Sequence, residues 1–123
     1  MTLSASVSMV PSSLSFNNPS TALVTVSNSG GSNVKLVSLT PIVNSDGSKG
    51  TAVSSINLQA PNASVVVPAT GSVIVPFQIV CWAPQGPNLS SLSPSVYSIG
   101  ANLITSDGSS FSATPANLTI NPL

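Results

Sequence analysis

Four side chains of the 123 carry a formal charge at neutral pH, namely Lys35, Asp46, Lys49 and Asp107, and the chain has no Arg, Glu or His. General acid–base catalysis draws on His, Glu, Asp or Lys held at a tuned pKa, and a metal centre needs several His, Cys, Asp or Glu together. Only the two aspartates qualify as carboxylates. Each sits inside a Ser-Asp-Gly-Ser run, Asp46 before Gly47 and Asp107 before Gly108, which is the chemistry of a hairpin turn. A calcium loop would need further oxygen ligands at fixed spacing, and no D-x-D-x-D-G run is present. Twenty-six Ser without one His exclude a Ser-His-Asp arrangement. A Ser-Lys pair would need Lys35 or Lys49 buried, which a turn at Lys49 disfavours. Cys81 has no His to activate it and falls on the apolar face of its segment, as a small buried hydrophobe does. The expectation is a chain that is not an enzyme and takes no cofactor or metal.

The same inventory bears on partners. Gripping nucleic acid through its phosphates takes clustered Lys or Arg, and the two lysines here stand fourteen residues apart. Anionic lipid asks for a polybasic cluster as well. The longest nearly apolar run, Val73 to Ala83, is broken by Pro76 and Gln78 and falls far short of the ~20 residues that span a bilayer. Neither nucleic acid nor a membrane is expected as a partner. The N-terminus alternates like a strand and lacks the basic start and apolar stretch of a signal peptide. With one cysteine, that favours synthesis inside a cell, the alternative being an export signal outside this sequence. Three N-x-S/T sequons, at Asn62, Asn88 and Asn117, are no more than eleven Asn among this many Ser and Thr give by chance.

Eleven Pro and eight Gly are scattered through the chain, and no stretch keeps an i, i+3, i+4 apolar pattern without interruption. Helix is therefore not expected. Short alternating segments bounded by turn residues recur instead, predicting a single all-β antiparallel sandwich of seven to eight strands. Leu3, Ala5, Val7 and Met9 alternate with small polar residues, then Leu14 and Phe16 resume beyond Pro11, as in a first strand broken by a proline. Ala22, Val24 and Val26 lead to Asn28-Ser29-Gly30-Gly31, whose glycines suit the positive φ of a reversal. Strands follow over Val34 to Val43, around Val53, Ile56 and Leu58, and at Val65 to Val67 before the turn Pro68 to Gly71. Val73, Val75, Phe77, Ile79 and Cys81 then share one face. Pro76, opposite, argues for an edge strand or a bulge. Ala83 to Pro94 reads as a long crossing loop. Tyr97, Ile99, Ala101 and Leu103 form the next inward face, and Asp107-Gly108 turns the chain into a final strand through Phe111, Leu118 and Ile120. Residues 1–10 form an N-terminal arm or first strand, and residues 11–123 the sandwich.

The order PSSLSF, TALVTVSNSGGSNVKLVSLTPI, VVVPATGSVIVPFQIVCWAP and VYSIGANLITSDG resembles immunoglobulin-like sandwiches of the abnormal-spindle/hydin type and bacterial choice-of-anchor modules, over about residues 11–120. The resemblance rests on the strand end Val24 to Gly30, the P-x-x-G turn at Pro68 and the Tyr97 that opens its strand. It implies a fold and, for Tyr97, a tyrosine-corner role, with no catalytic motif. Architecture of this kind serves unrelated roles, so the fold leaves the role open.

Composition speaks to the role more directly. An exterior almost free of ions lacks the repulsion that keeps small proteins apart and the lysines that guard sheet edges. Association through apolar and hydroxyl contacts is expected. That suits a virion protein: a phage capsid decoration, or cement, protein made in the host cytoplasm and bound to the capsid exterior. It would bridge subunits of the major capsid protein as a homo-oligomer, with a trimer favoured. The alternative is an immunoglobulin-like adhesion or surface module of a bacterial or archaeal extracellular protein. Contact residues are expected on the N-terminal arm, Leu3, Ala5, Val7 and Met9, and at Trp82, Leu89 and Leu92 on and beside the long loop.

Overall fold

A segment that alternates apolar and polar residues hides one face only by laying it on another such face. The structure, a computed structural model, describes residues 3–15, 18–45, 55–58, 64–82 and 95–121. Within them the chain forms β1 (Leu3–Val10), β2 (Ser13–Ser15), β3 (Pro19–Asn28), β4 (Val34–Ser45), β5 (Ser55–Leu58) and β6 (Val65–Val67), then β7 (Ser72–Trp82), β8 (Ser95–Thr105), β9 (Ser110–Ser112) and β10 (Ala116–Asn121). No helix occurs among the described residues. Taking β1 with β2, and β9 with β10, as broken strands leaves eight.

Two sheets result, ordered β1-β3-β7-β5 and β2-β10-β8-β4-β6, with β9 continuing along β8 beyond β10. Among the described strands the pairings are antiparallel except β2 alongside β10, and the isolated bridge of Ser6 with Thr114 is parallel too. Strands one, two, five and four of an immunoglobulin domain form one sheet, and its third, sixth and seventh the other. Here β1, β3, β7 and β5 stand in the first set and β4, β8 and β10 in the second. The chain is an immunoglobulin-like β-sandwich. Between the sheets lie Val24, Val26, Val75, Phe77 and Ile79 from one side and Leu36, Ile99, Leu103, Leu118 and Ile120 from the other, all buried. Tyr97 is buried at the start of the same inward face of β8.

Two breaks join the layers. β1 ends at Val10, the Val10-Pro11 bond is cis, and the chain crosses to start β2 in the opposite sheet. The buried Ser20 hydroxyl donates to the Pro11 carbonyl at 2.6 Å, and the Thr119 N–H to that of Ser12 at 2.9 Å, fixing the crossing. The last strand, expected to be continuous, is split at Ala113-Thr114-Pro115. There Thr114 leaves its sheet: its N–H donates to the Ala5 carbonyl and its carbonyl accepts the Val7 N–H, both at 2.9 Å. Pro115, with no N–H of its own, suits such a break.

Pro76 corrects the expectation of an edge strand or bulge, for β7 is flanked by β3 and β5 and pairs with β3 without a slip. The ladder explains it. Ala5 and Val7 direct their backbone groups outward to Thr114, so Ser8 bonds Leu23 and Leu23 turns away from its other partner, Pro76. The missing N–H therefore faces the β5 side, where β5 reaches only Ile79 to Trp82.

The turns also redistribute the positive φ. Gly108 adopts it at 89°, but Gly31 does not; Thr70 carries it instead, at 54°. Gly71 is required for room, since a Cβ there would lie 2.8 Å from the Pro68 ring. A β-branched residue in the left-handed region is strained. Thr70→Asn, which tolerates that region, is expected to stabilise the fold by about 0.5–1 kcal/mol, read as a higher urea midpoint.

Candidate interaction surface

The outward face of β1, β3 and β7 follows from their registers. Rows across the strands read Ser4, Ser27, Ser72; Ser6, Thr25, Ile74; Ser8, Leu23, Pro76; and Val10, Thr21, Gln78. No charge stands in these rows. Ile74 is 59% exposed and Val10 56%, and Leu23 and Pro76 lie beside Ile74 to make a low apolar ridge bordered by hydroxyls. Eight consecutive pairs on one side of β3 and nine on the other run without a bulge.

The opposite sheet is less even. Its register slips between Leu36 and Ser38, a bulge that leaves Val37 exposed, and Val66 and Ile104 are exposed nearby. Lys35, opposite Val66, is exposed on β4. A depression of about 400 Å³ is lined by Asn102, Ile104, Ser110, Phe111 and Ser112. An open hollow of about 510 Å³ at one end of the sandwich is lined by Ser27, Asn28, Ser29, Thr70, Gly71 and Ser72. Neither contains a titratable side chain, so neither can move a proton.

Beneath that hollow, Asn28 is buried and organises the end of the sandwich. Its Nδ2 donates to the Ser32 carbonyl at 2.8 Å and the Val67 carbonyl at 3.3 Å, and its Oδ1 accepts the Gly30 N–H at 2.9 Å. The Asn33 side chain adds a bond from the Ala69 N–H, and Thr70 N–H reaches the Gly30 carbonyl. The two loops are thus sewn into one rigid edge. The sequence marks Asn28 only as a turn residue; its amide's role depends on Val67, thirty-nine positions away.

Asp107 does what its turn position foretells. The buried Thr105 hydroxyl and the Ser109 N–H both donate to its Oδ1, the latter at 2.9 Å. The Thr105 hydroxyl first, and then the Ser109 groups, hold its carboxyl below the ordinary value of 3.8. A depressed carboxylate pKa contributes stability that is complete above the unfolded value and is lost as pH falls through the folded one. Urea midpoints are expected to decline in acid below about pH 4. Asp107→Asn should flatten part of that decline.

The structure places Leu3, Ala5, Val7 and Met9 in the chain's own core, on the inward face of β1. What β1 offers a partner is the other face, Ser4, Ser6, Ser8 and Val10. The middle of its outer edge is also occupied, by Thr114. Trp82 ends β7, its backbone opposite Ser55, and nothing is described of its side chain. Leu89 and Leu92, with Asp46 and Lys49, lie outside the described residues. Of the contact residues named from sequence, the four on β1 face inward, and the uncharged outer face of β1, β3 and β7 was not singled out by sequence. Its signal is the even positions of two strands, Ser4 to Val10 and Ser72 to Gln78, which carry no ion.

No family model matches the chain, and no curated protein matches it. Solved structures do, at the level of fold. A FixG-related protein from Vibrio parahaemolyticus is 10% identical with a TM-score of 0.50, over 96% of this chain and 95% of that one. An alkylpurine DNA glycosylase from Pseudomonas fluorescens, bound to DNA containing an abasic site analog, is 8% identical with a TM-score of 0.61. A family 123 glycoside hydrolase from Clostridium perfringens is 11% identical with a TM-score of 0.50. The match takes in 98% of this chain but spans 30% of the glycosylase, and 100% of this chain but 27% of the hydrolase. At such identities the likeness is one of fold alone.

Proposed function

We propose that this chain is a structural protein, without catalysis, that works by docking on other protein subunits. In its finer form it is a capsid decoration protein, made in a host cytoplasm and bound to the exterior of a phage head. There it bridges neighbouring major capsid subunits as a homo-oligomer. The observation that carries the reading is the exterior itself: rows of Ser, Thr, Gln and apolar side chains, on a chain with four charges in all. Uncharged surfaces meet another protein without stripping water from ions, and their contacts barely weaken with salt.

The test mixes the purified chain with emptied phage heads, pellets the heads and heats them. Saturable co-sedimentation with a raised temperature of head rupture supports the reading. Heads that neither retain the chain nor gain heat resistance overturn the decoration role. A second reading, an immunoglobulin-like module of a bacterial or archaeal surface protein, is favoured by the sandwich architecture, which many cell-surface domains share. The finer likeness to abnormal-spindle/hydin and choice-of-anchor modules fits it equally. An export signal in the full gene, with no head binding, selects it.

A further inference from the structure

We infer that the outer face of the β1-β3-β7 layer is where a second copy of this chain docks, face to face about a two-fold axis. The inference rests on the proposed role as an associating structural protein and names the partner of one of its faces.

Three features single out this face. Its register is regular, because both ladders that build it run without a slip, whereas the other sheet is bulged between Leu36 and Ser38. It is uncharged throughout the described rows, while the other sheet carries Lys35. It has an apolar centre, with Leu23 and Pro76 opposite one another and Ile74 in the neighbouring row.

Charge chooses the occupant. A partner surface bearing ions would lose their hydration against groups that cannot pair with them. A copy of the same face brings none, so every charge penalty vanishes on both sides at once. Hydroxyls on Ser4, Ser6 and Ser8 can donate to one another across a two-fold axis because each is both donor and acceptor. Sheets stack naturally at about 10 Å in this way, as the chain's own two layers do.

Size sets the strength. Three strands spaced at about 4.8 Å, each about 30 Å long, give a face of roughly 430 Å² per copy, or on the order of 860 Å² for the pair. That lies below the size of stable specific interfaces, in the range of transient contacts, so the dimer is weak and reversible.

Sedimentation equilibrium of the full chain over a concentration series tests this. The mass should rise from 12.2 kDa toward twice that value, with the same midpoint at low and high salt. Ser6→Lys with Ile74→Lys, at two exposed positions of one row, should weaken the dimer at least tenfold; Ile104→Lys, on the opposite sheet, should leave it unchanged. Should the double variant melt early, Ser6→Lys alone gives the same reading. A wild-type monomer at every concentration, a trimer, or a double variant that dimerises like the wild type overturns the inference. Binding of the double variant to emptied heads is scored separately, so a failed dimer with intact head binding leaves the proposed function standing.

Discussion

Replacing Leu103 by Ala is expected to lower the unfolding free energy by about 3 kcal/mol and the melting temperature by roughly 10 °C. Leu103 is fully buried on β8, flanked by Leu39 of β4 and Phe111 of β9 in one cross-strand row. β8 is the strand on which β4, β9 and β10 all pair, so its neighbours cannot move into the gap without breaking their own ladders. The loss is thus the transfer energy of the missing atoms plus a cavity that stays open. Leu103→Met, nearly volume-conserving, should cost less than about 1.5 kcal/mol. Thermal melts of the three proteins decide it; equal losses for Ala and Met would mean that the row is loosely packed.

The second large effect is polar. Asn28→Ala removes one acceptor and two donors from a buried site and leaves the Gly30 N–H and the Ser32 and Val67 carbonyls without their side-chain partner. About 2 kcal/mol should be lost, more than a typical exposed hydrogen bond is worth, because the Val67 carbonyl stays buried and the Gly30 N–H half-buried. Asn28→Asp separates the donor role from the acceptor role. It keeps Oδ1 for Gly30 but points a second oxygen at two carbonyls, so burial and repulsion raise the new carboxyl's pKa. A raised acid pKa means that the native state holds the proton longer, and stability therefore falls as pH climbs from about 4 toward the raised value. Asn28→Ala shows no such slope. Urea midpoints of both variants from pH 3 to pH 7 measure the difference; a pH-independent Asn28→Asp would mean that the amide's donors are dispensable.

The fold was legible where one face is buried. Strands such as β1, β7 and β8 declare themselves because period-two alternation and burial are the same fact. What alternation cannot say is whose core the apolar face joins. Leu3, Ala5, Val7 and Met9 read as well for a partner's sheet as for their own, and only the pairing of β1 with β3 and Thr114 shows the latter. Proline was legible as an interruption but not in its direction. Pro11 sends the chain to the other sheet, Pro115 sits where the last strand divides, and Pro76 interrupts nothing, since its missing donor faces away from β3. The left-handed position fell on Thr70 rather than on a nearby glycine where the Pro68–Gly71 turn is tied to the other loop by the Gly30–Thr70 backbone bond, a long-range contact that no local preference encodes. The interaction surface was hidden for a similar reason. Ser6, Thr25 and Ile74 become neighbours only once three strands are in register.

The salt dependence of the chain's binding to emptied heads tests the central claim most directly. At about 0.05 M and about 0.5 M salt, ionic contacts differ greatly in screening while apolar and hydroxyl contacts do not. Saturable binding with a Kd that changes less than twofold between the two is the predicted result. No binding at either, or an affinity that collapses tenfold at the higher salt, would contradict it.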